Sequence, residues 1–363
     1  MKSKWPSTNL TELLQIKYPI VQGPFGGGYS SVTLTATVSN LGGLGSFGAQ
    51  SLTSNQILET TATIRQATNH PFAINLWVSD RDKRVATYTK EDYKQLVALF
   101  APLFDEYKIA IPAMPVDLGA TYDEQVSAVL EARPPVFSFV YGIPGKEILK
   151  ECRKLNIKTI GAATTVEEAL VLQEAGVEAL VASGVEAGGH RVSFLHDARQ
   201  SLNGLMALVP QIAAKVKIPI IAAGGIADGR GIAAALMLGA DAVQIGTAFL
   251  ACKESNASPE HKAALFTEAA KHTTLTKVFT GRLARGIENE LSNTYAEKQE
   301  AMAPFPIQAL FVRALTAALA EKGKTEFSTF WCGQSAGLLH FKEAGLLFES
   351  LVEETEQLFM KKN

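Results

Sequence analysis

The chemistry in this chain is most concentrated at Ser183-Gly-Val-Glu-Ala-Gly-Gly-His190-Arg191, where one imidazole follows a run of small residues. An imidazole titrates near ~6.5 and can take up or release a proton at neutral pH. The adjoining glycines let a ligand approach the backbone closely. Together these features assign His190 as a general base, against the alternative of a loop histidine satisfied by a backbone carbonyl. Of the other histidines, His196 is near enough to stand second. His70, His261, His272 and His340 fall on helices or connections.

A second kind of chemistry is written in two glycine-containing turns, Ala223-Gly-Gly-Ile226 and Gln244-Ile-Gly-Thr247. Glycine admits an anion close to the backbone, and N–H groups at a helix start point toward it. Asp228 caps the helix just beyond the first turn. Either turn alone is ordinary strand-end chemistry. The pair makes Gly224, Gly225, Gln244, Ile245, Gly246 and Thr247 candidates for holding a phosphorylated cofactor. A third glycine motif, Gly43-Leu-Gly-Ser-Phe-Gly48, matches the dinucleotide fingerprint, but a helix precedes it and the motif itself reads as a strand. A Rossmann reading is therefore set aside.

These residues must be positioned by repeated elements, and the chain supplies them. Short apolar runs occur at Pro19–Gln22, Leu44–Phe47, Phe72–Leu76, Val136–Tyr141, Lys158–Ala162, Ala179–Ala182, Pro219–Ala223 and Ala242–Ile245. Most are continuously hydrophobic, as strands covered on both faces must be. Helical stretches separate them. One opens with Thr165 and carries Glu168 three residues later, a capping-box spacing, and stops at Gly176. Another runs from Asp228 to Gly239. Eight such repeats, the last lacking a clear helix, predict an α/β fold of the (β/α)8 TIM-barrel type, whose active sites form at the C-terminal strand ends and whose phosphate sites follow strands 7 and 8. Residues 1–78, 116–255 and 325–363 are assigned to the barrel. Residues 79–115, with the charged patch Asp80-Arg-Asp-Lys-Arg84, and residues 256–324, read as helical and polar, are left for a smaller, mainly helical second domain or lid.

Composition narrows the function classes. The 363 residues are 47% hydrophobic and 19% charged with a net charge of −2, enough for a large core and without the basic excess that nucleic acid demands. Cys152, Cys252 and Cys332 lie far apart and form no metal-ligand spacing, so free thiols in a reducing compartment are expected and no metal is. The N-terminal residues lack an apolar signal core, and the most hydrophobic window, Ala233–Cys252, is interrupted by Asp241 and Gln244. The expectation is a cytoplasmic protein with no membrane partner, its oligomeric state open, a homodimer included.

The segments Pro19-Ile-Val-Gln-Gly-Pro-Phe-Gly-Gly-Gly, Phe72-Ala-Ile-Asn-Leu, Glu186-Ala-Gly-Gly-His-Arg, Ile221-Ala-Ala-Gly-Gly-Ile-Ala-Asp-Gly-Arg and Gln244-Ile-Gly-Thr, in this order, resemble the nitronate monooxygenases, formerly 2-nitropropane dioxygenases. Thr280-Gly-Arg-Leu-Ala-Arg285 and Trp331-Cys-Gly-Gln-Ser335 extend the likeness. The resemblance implies an FMN enzyme that oxidises a nitronate or nitroalkane with molecular oxygen to a carbonyl compound and nitrite, without nicotinamide. It further implies that Gln22, Gly23 and Asn75 line the isoalloxazine and that Gly184, Gly188 and Gly189 pass close to the flavin and its ribityl chain. Gly224, Gly225 and Gln244 to Thr247 would hold the phosphate, and His190 matches the family's base. Two departures stand out: Ser183, a flavin-contact position where the family often carries Gln, and Phe25, where it often carries Met. A neighbouring alternative is an NAD(P)H-dependent flavin enoyl-acyl-carrier-protein reductase of the same superfamily, and another is a flavin-binding protein without turnover. The context of Arg191 and the two late motifs favour the monooxygenase.

Overall fold

The computed structural model describes residues 5–360; the outermost limits of the barrel assignment, and most of the N-terminal segment read for a signal core, lie outside the described residues. Each apolar run forms a strand: β1 Ile20–Gln22, β2 Gly45–Gly48, β3 Phe72–Trp77, β4 Val136–Val140, β5 Lys158–Ala163, β6 Ala179–Ser183, β8 Ile220–Ala223 and β9 Ala242–Ile245. Between β6 and β8 lies the two-residue β7, Gly189–His190. The eight long-run strands pair in parallel in the order β1-β9-β8-β6-β5-β4-β3-β2, and a bridge between Val21 and Leu44 brings the two edges together. This is a TIM barrel, with Gly43–Gly48 used as a strand and not as a dinucleotide turn.

Alternation along each strand separates two cores. Ile20, Leu180 and Ala182 face the helical layer, whereas Val21, Ala73, Ala162, Ala179, Val181 and Ala223 fill the interior with Leu10 and Leu14 of the helix Asn9–Leu14. The missing last helix comes from far away in sequence. Ala344–Met360 packs on Gly229–Met237, and Gly229 N donates to Glu354 Oε2 at 2.9 Å. Gly229 has to be glycine, since a Cβ there would lie 2.5 Å from Glu354 Cβ.

The capping-box spacing at Thr165 is only half used. Thr165 accepts from Glu168 N, but the fully buried Glu168 carboxylate turns away from its own cap. It accepts from Thr164 N (2.6 Å) and Thr164 Oγ1 (2.7 Å), and across the barrel mouth from Phe194 N (2.6 Å) and Leu195 N (3.1 Å). A buried carboxylate is retained only with such donors. The effect is to fix the segment that follows His190.

Residues 256–324 differ from the polar helical reading. They include an antiparallel hairpin, β10 Thr273–Thr276 and β11 Ala284–Ile287, and β11 pairs in turn with β7, setting Ala284 opposite His190. They also bury Val278, Phe279, Leu291, Tyr295, Phe311 and Leu315 against Tyr93, Leu96, Phe100 and Phe104 of the helix Lys90–Tyr107. Phe100 stacks on Tyr295 with ring centroids 4.2 Å apart. The two stretches outside the repeat therefore share a second hydrophobic core, largely helical and with the three-stranded sheet at its edge.

Candidate active site

All the strand-end residues singled out in sequence lie at the C-terminal mouth of the barrel. Gln22 is fully buried, and its amide is spent within the chain: Oε1 accepts from Ser46 N at 3.0 Å and Nε2 donates to Gly23 O. Gly23 packs on Gly246, with an added Cβ only 3.3 Å from the Gly246 Cα. Asn75 is buried on β3 and donates to Ser138 Oγ at 3.0 Å. Ile245 is fully buried in the helix-facing core and offers the mouth only backbone. Thr247 Oγ1 accepts from Gly333 N at 2.9 Å, tying residues 331–335 to the barrel and leaving its own hydrogen to donate.

The glycines divide into two groups. A Cβ on Gly184 would strike Glu186 Oε2 at 2.2 Å, and one on Gly188 would strike the Cys332 carbonyl carbon and Gly333 N at 2.6 Å, so the chain's own packing demands glycine at both. Gly189 (φ +77) and Gly246 instead have nothing within 4 Å of a built Cβ. Gly224 (φ +126) and Gly225 (φ +68) hold left-handed backbone beside them. Bare backbone thus borders open space at Gly189 in β7 and at Gly246 after β9, a cradle that a Cβ on Gly246 would begin to fill. This fits the phosphate end of a flavin, with Gly224, Gly225, Gly246 and Thr247 as the groups that could hold it.

The loop from Ser183 to Glu186 is held by cations and amides from elsewhere. The wholly buried Arg191 places its guanidinium on Gly184 O, on Ser183 O (3.1 Å) and on Ser201 O (3.0 Å). Arg285 Nε donates to Val185 O at 2.9 Å, and Gln334 N donates to Glu186 O at 3.0 Å. Both late motifs, around residues 280–285 and 331–335, serve this fastening.

His190 sits where the barrel meets the second core. Its Nε2 is 2.9 Å from Thr280 Oγ1, and the same hydroxyl lies 3.2 Å from Arg282 O. When Thr280 donates to that carbonyl, Nε2 carries the imidazole hydrogen and Nδ1, which makes no hydrogen bond within the described residues, keeps its lone pair free. Aromatic rings cage the imidazole: Trp77 at 4.9 Å, Trp331 at 5.2 Å, and Tyr141 and Phe305 at 6.4 Å between centroids. Desolvation by this cage, assisted by the Arg282 charge, pushes the His190 pKa down from 6.5 to about 3. At neutral pH the ring is an uncharged proton acceptor. His196 is exposed and takes no part.

Sequence reasoning missed most of this cage. Trp77 ends β3 and Tyr141 directly follows β4, where the strand-end rule could have found them. Tyr141 also adopts φ +61, a strained conformation that for a non-glycine residue commonly marks a functional site. Arg282, Phe305 and Trp331 are contributed by residues 280–331, with no local signal beyond the family-like motifs. His261, assigned to a helix away from strand ends, is buried on the helix Pro259–Ala264, where its Nε2 meets Trp331 O at 2.9 Å and so backs the cage.

A family model described as nitronate monooxygenase matches residues 7–354. The chain belongs to that family. It is 38% identical to a probable nitronate monooxygenase of Staphylococcus saprophyticus across 97% of this chain and 98% of that protein. A nitroalkane oxidase structure from Streptomyces ansochromogenes matches 98% of this chain and 99% of its own, at 32% identity and a TM-score of 0.87. FabK from Thermotoga maritima matches 98% of each chain at 28% identity and a TM-score of 0.75. Family membership makes the chain an enzyme of the flavin-dependent oxidoreductase class. Among the described residues no helix is long and apolar enough to cross a membrane.

Proposed function

We propose that this enzyme binds FMN at the barrel mouth and oxidises nitronates, and neutral nitroalkanes after deprotonation, with molecular oxygen to a carbonyl compound and nitrite. The observation that carries this reading is the uncharged, aromatically caged His190, with Nδ1 free, at the mouth of a barrel whose family oxidises nitronates. Gly224, Gly225, Gln244, Ile245, Gly246 and Thr247 would hold the phosphate of FMN. Gln22, Gly23, Asn75, Ser183, Gly184, Gly188 and Gly189 would shape the space for its ring and ribityl chain, Gln22, Gly184 and Gly188 doing so through their packing. When bound, FMN supplies the electron acceptor.

The protein residues supply position and proton handling. His190 takes the proton α to the nitro group of a neutral substrate, and Thr280 holds the ring in one tautomer while it does so. A preformed nitronate has already lost that proton. The second core, residues 79–115 and 256–324, serves as a cap over residues 1–78, 116–255 and 325–363, and it narrows the access of water to the half-buried imidazole. Three buried thiols suit a reducing, cytoplasmic setting.

Two measurements test the reading. Acid should release FMN, not FAD, from the yellow protein. Oxygen uptake should follow addition of propionate 3-nitronate or alkyl nitronates and be indifferent to NADPH. Anaerobic reduction of the flavin by NADPH and not by a nitronate would replace this reading with the reductase, and reduction by neither would leave a binding protein without turnover.

A further inference from the structure

The patch Asp80-Arg-Asp-Lys-Arg84 finds no use in flavin binding, yet one of its members reaches the cage around His190. Asp82 Oδ1 accepts from Arg282 Nε at 2.8 Å, and Asp82 Oδ2 accepts from Phe305 N at 2.9 Å. This carboxylate fixes two of the groups that surround the imidazole. The Arg282 guanidinium carbon then lies 4.3 Å from the Tyr141 ring centroid, 4.5 Å from that of Phe305 and 5.6 Å from that of Trp77. The cation is nine-tenths buried and flanked by π faces, a setting in which a planar guanidinium is favoured.

Not all of its donors are used. Nε is taken by Asp82, and Nη2 reaches Ser79 Oγ only at 3.4 Å. Nη1 is buried and meets no carboxylate or carbonyl, and the hydroxyl of Tyr141, a side chain also nine-tenths buried, has no polar neighbour beyond the Arg282 side chain itself, leaving its own hydrogen unplaced. Buried donors without acceptors are rare in folded proteins because each forfeits its hydration. Here two of them, one cationic and one phenolic, occur together beside the same imidazole. Arg282 also acts electrostatically on His190, so an anion seated here would raise the basicity of that ring.

We infer that Arg282 Nη1 and Tyr141 Oη form an oxyanion-binding pair that holds the charged oxygens of the substrate, a planar nitrogen oxyanion, beside His190. The inference rests on the proposed nitronate oxidation and adds the groups that recognise the substrate's charge. A fork and a phenol suit two oxygens on one nitrogen, and both donors are present before substrate arrives. The site therefore favours preformed nitronate over neutral nitroalkane at the binding step.

Sodium nitrate, a planar monoanion of the same class, is the probe. Its binding is followed by calorimetry and by competition against a nitronate, with flavin content as the control. Tyr141→Phe keeps the ring and should weaken nitrate binding and raise the nitronate KM about tenfold, and it should lower kcat/KM for neutral nitroalkanes as well, because their deprotonation develops the same oxyanion. Arg282→Met combined with Asp82→Asn, which avoids a stranded carboxylate, should raise the nitrate Kd and the nitronate KM about a hundredfold. Arg282→Lys, which keeps charge without the fork, should fall between. Unaltered nitrate affinity and nitronate KM in folded, flavin-loaded Tyr141→Phe and the double variant would overturn the inference and leave nitronate oxidation standing. If the wild type turns over no nitronate while nitrate binding still depends on Arg282 and Tyr141, the proposed reaction fails and the oxyanion pair survives.

Discussion

The two sides of the barrel mouth are built on different plans. The side at β8 and β9 is local: Gly224 and Gly225 directly follow one strand, Gln244–Thr247 end the next, and the strands are hydrogen-bonded neighbours. The side at His190 is assembled from a distance, with Trp77, Tyr141, Thr280, Arg282, Phe305 and Trp331 all closing on one imidazole. The first offers bare backbone, which can bind an anion but does little else. The second offers a desolvated ring whose charge state is set by what surrounds it. Backbone sites can be written in a few consecutive residues, whereas a tuned titratable group needs walls, and the second core supplies most of them.

The largest expected effect of separating the two sides is at Gly246. A Cβ there meets nothing in the protein, so Gly246→Val should fold normally by circular dichroism yet lose about nine-tenths or more of its flavin, because the side chain enters the phosphate space. Full flavin retention would move that site elsewhere. Gly225→Val is a poorer probe, since φ +68 would strain any side chain regardless of ligand.

A large effect of another kind is expected at Phe311, fully buried in the second core. Phe311→Ala should destabilise that core by about 3–5 kcal/mol. In urea the loss should appear in turnover of nitroalkanes before flavin is released, because Thr280, Arg282, Phe305 and Trp331 of the cage come from residues 280–331, whereas the phosphate side takes its binding groups from the ends of β8 and β9. Simultaneous loss of both would show that the two cores unfold as one.

Thr280→Val keeps the shape of the side chain and removes the partner of His190 Nε2. A lost hydrogen bond of about 1 kcal/mol corresponds to a roughly fivefold fall in kcat/KM for nitroalkanes, with flavin content unchanged. No fall would mean that packing alone orients the ring.

The smallest effect is a flat profile. Because the His190 pKa is lowered to about 3, kcat/KM for nitroalkanes, which reports the free enzyme, should show no His190 ionisation between roughly pH 5 and 8. The folded ring refuses a proton that the unfolded one binds below its ordinary 6.5, so stability should decline as pH falls from 6.5 toward 3. Thermal melts at stepped pH, compared with those of His190→Asn, check this. An acid limb near 6.5 in kcat/KM would contradict desolvation of the ring by the cage.

What was legible in the sequence follows the same division. Every barrel strand was visible as an apolar run because both faces of such a strand are covered, and the glycine turns were visible because their chemistry is local. His190 stood out by type and by its place after the sixth run. The final barrel helix was not legible, since it follows its strand only after an excursion of almost a hundred residues. The β10–β11 hairpin was hidden for a different reason: both strands are short, β10 is polar and half-buried, and β11, though buried, reads Ala-Arg-Gly-Ile with Arg285 and Gly286 breaking any apolar run. The capping-box spacing at Thr165 was real as a pattern and incomplete as a structure, because four donors around the mouth compete for Glu168.

The central claim, that His190 is the proton acceptor on this side of the mouth, is tested most directly by oxygen uptake of His190→Asn with one nitroalkane and with its preformed nitronate. General-base catalysis contributes about 10²–10⁴-fold, so turnover of the neutral nitroalkane should fall by that order while the nitronate keeps most of its rate and FMN stays bound. Equal losses on the two forms would contradict a base and leave His190 an anion-binding or structural residue.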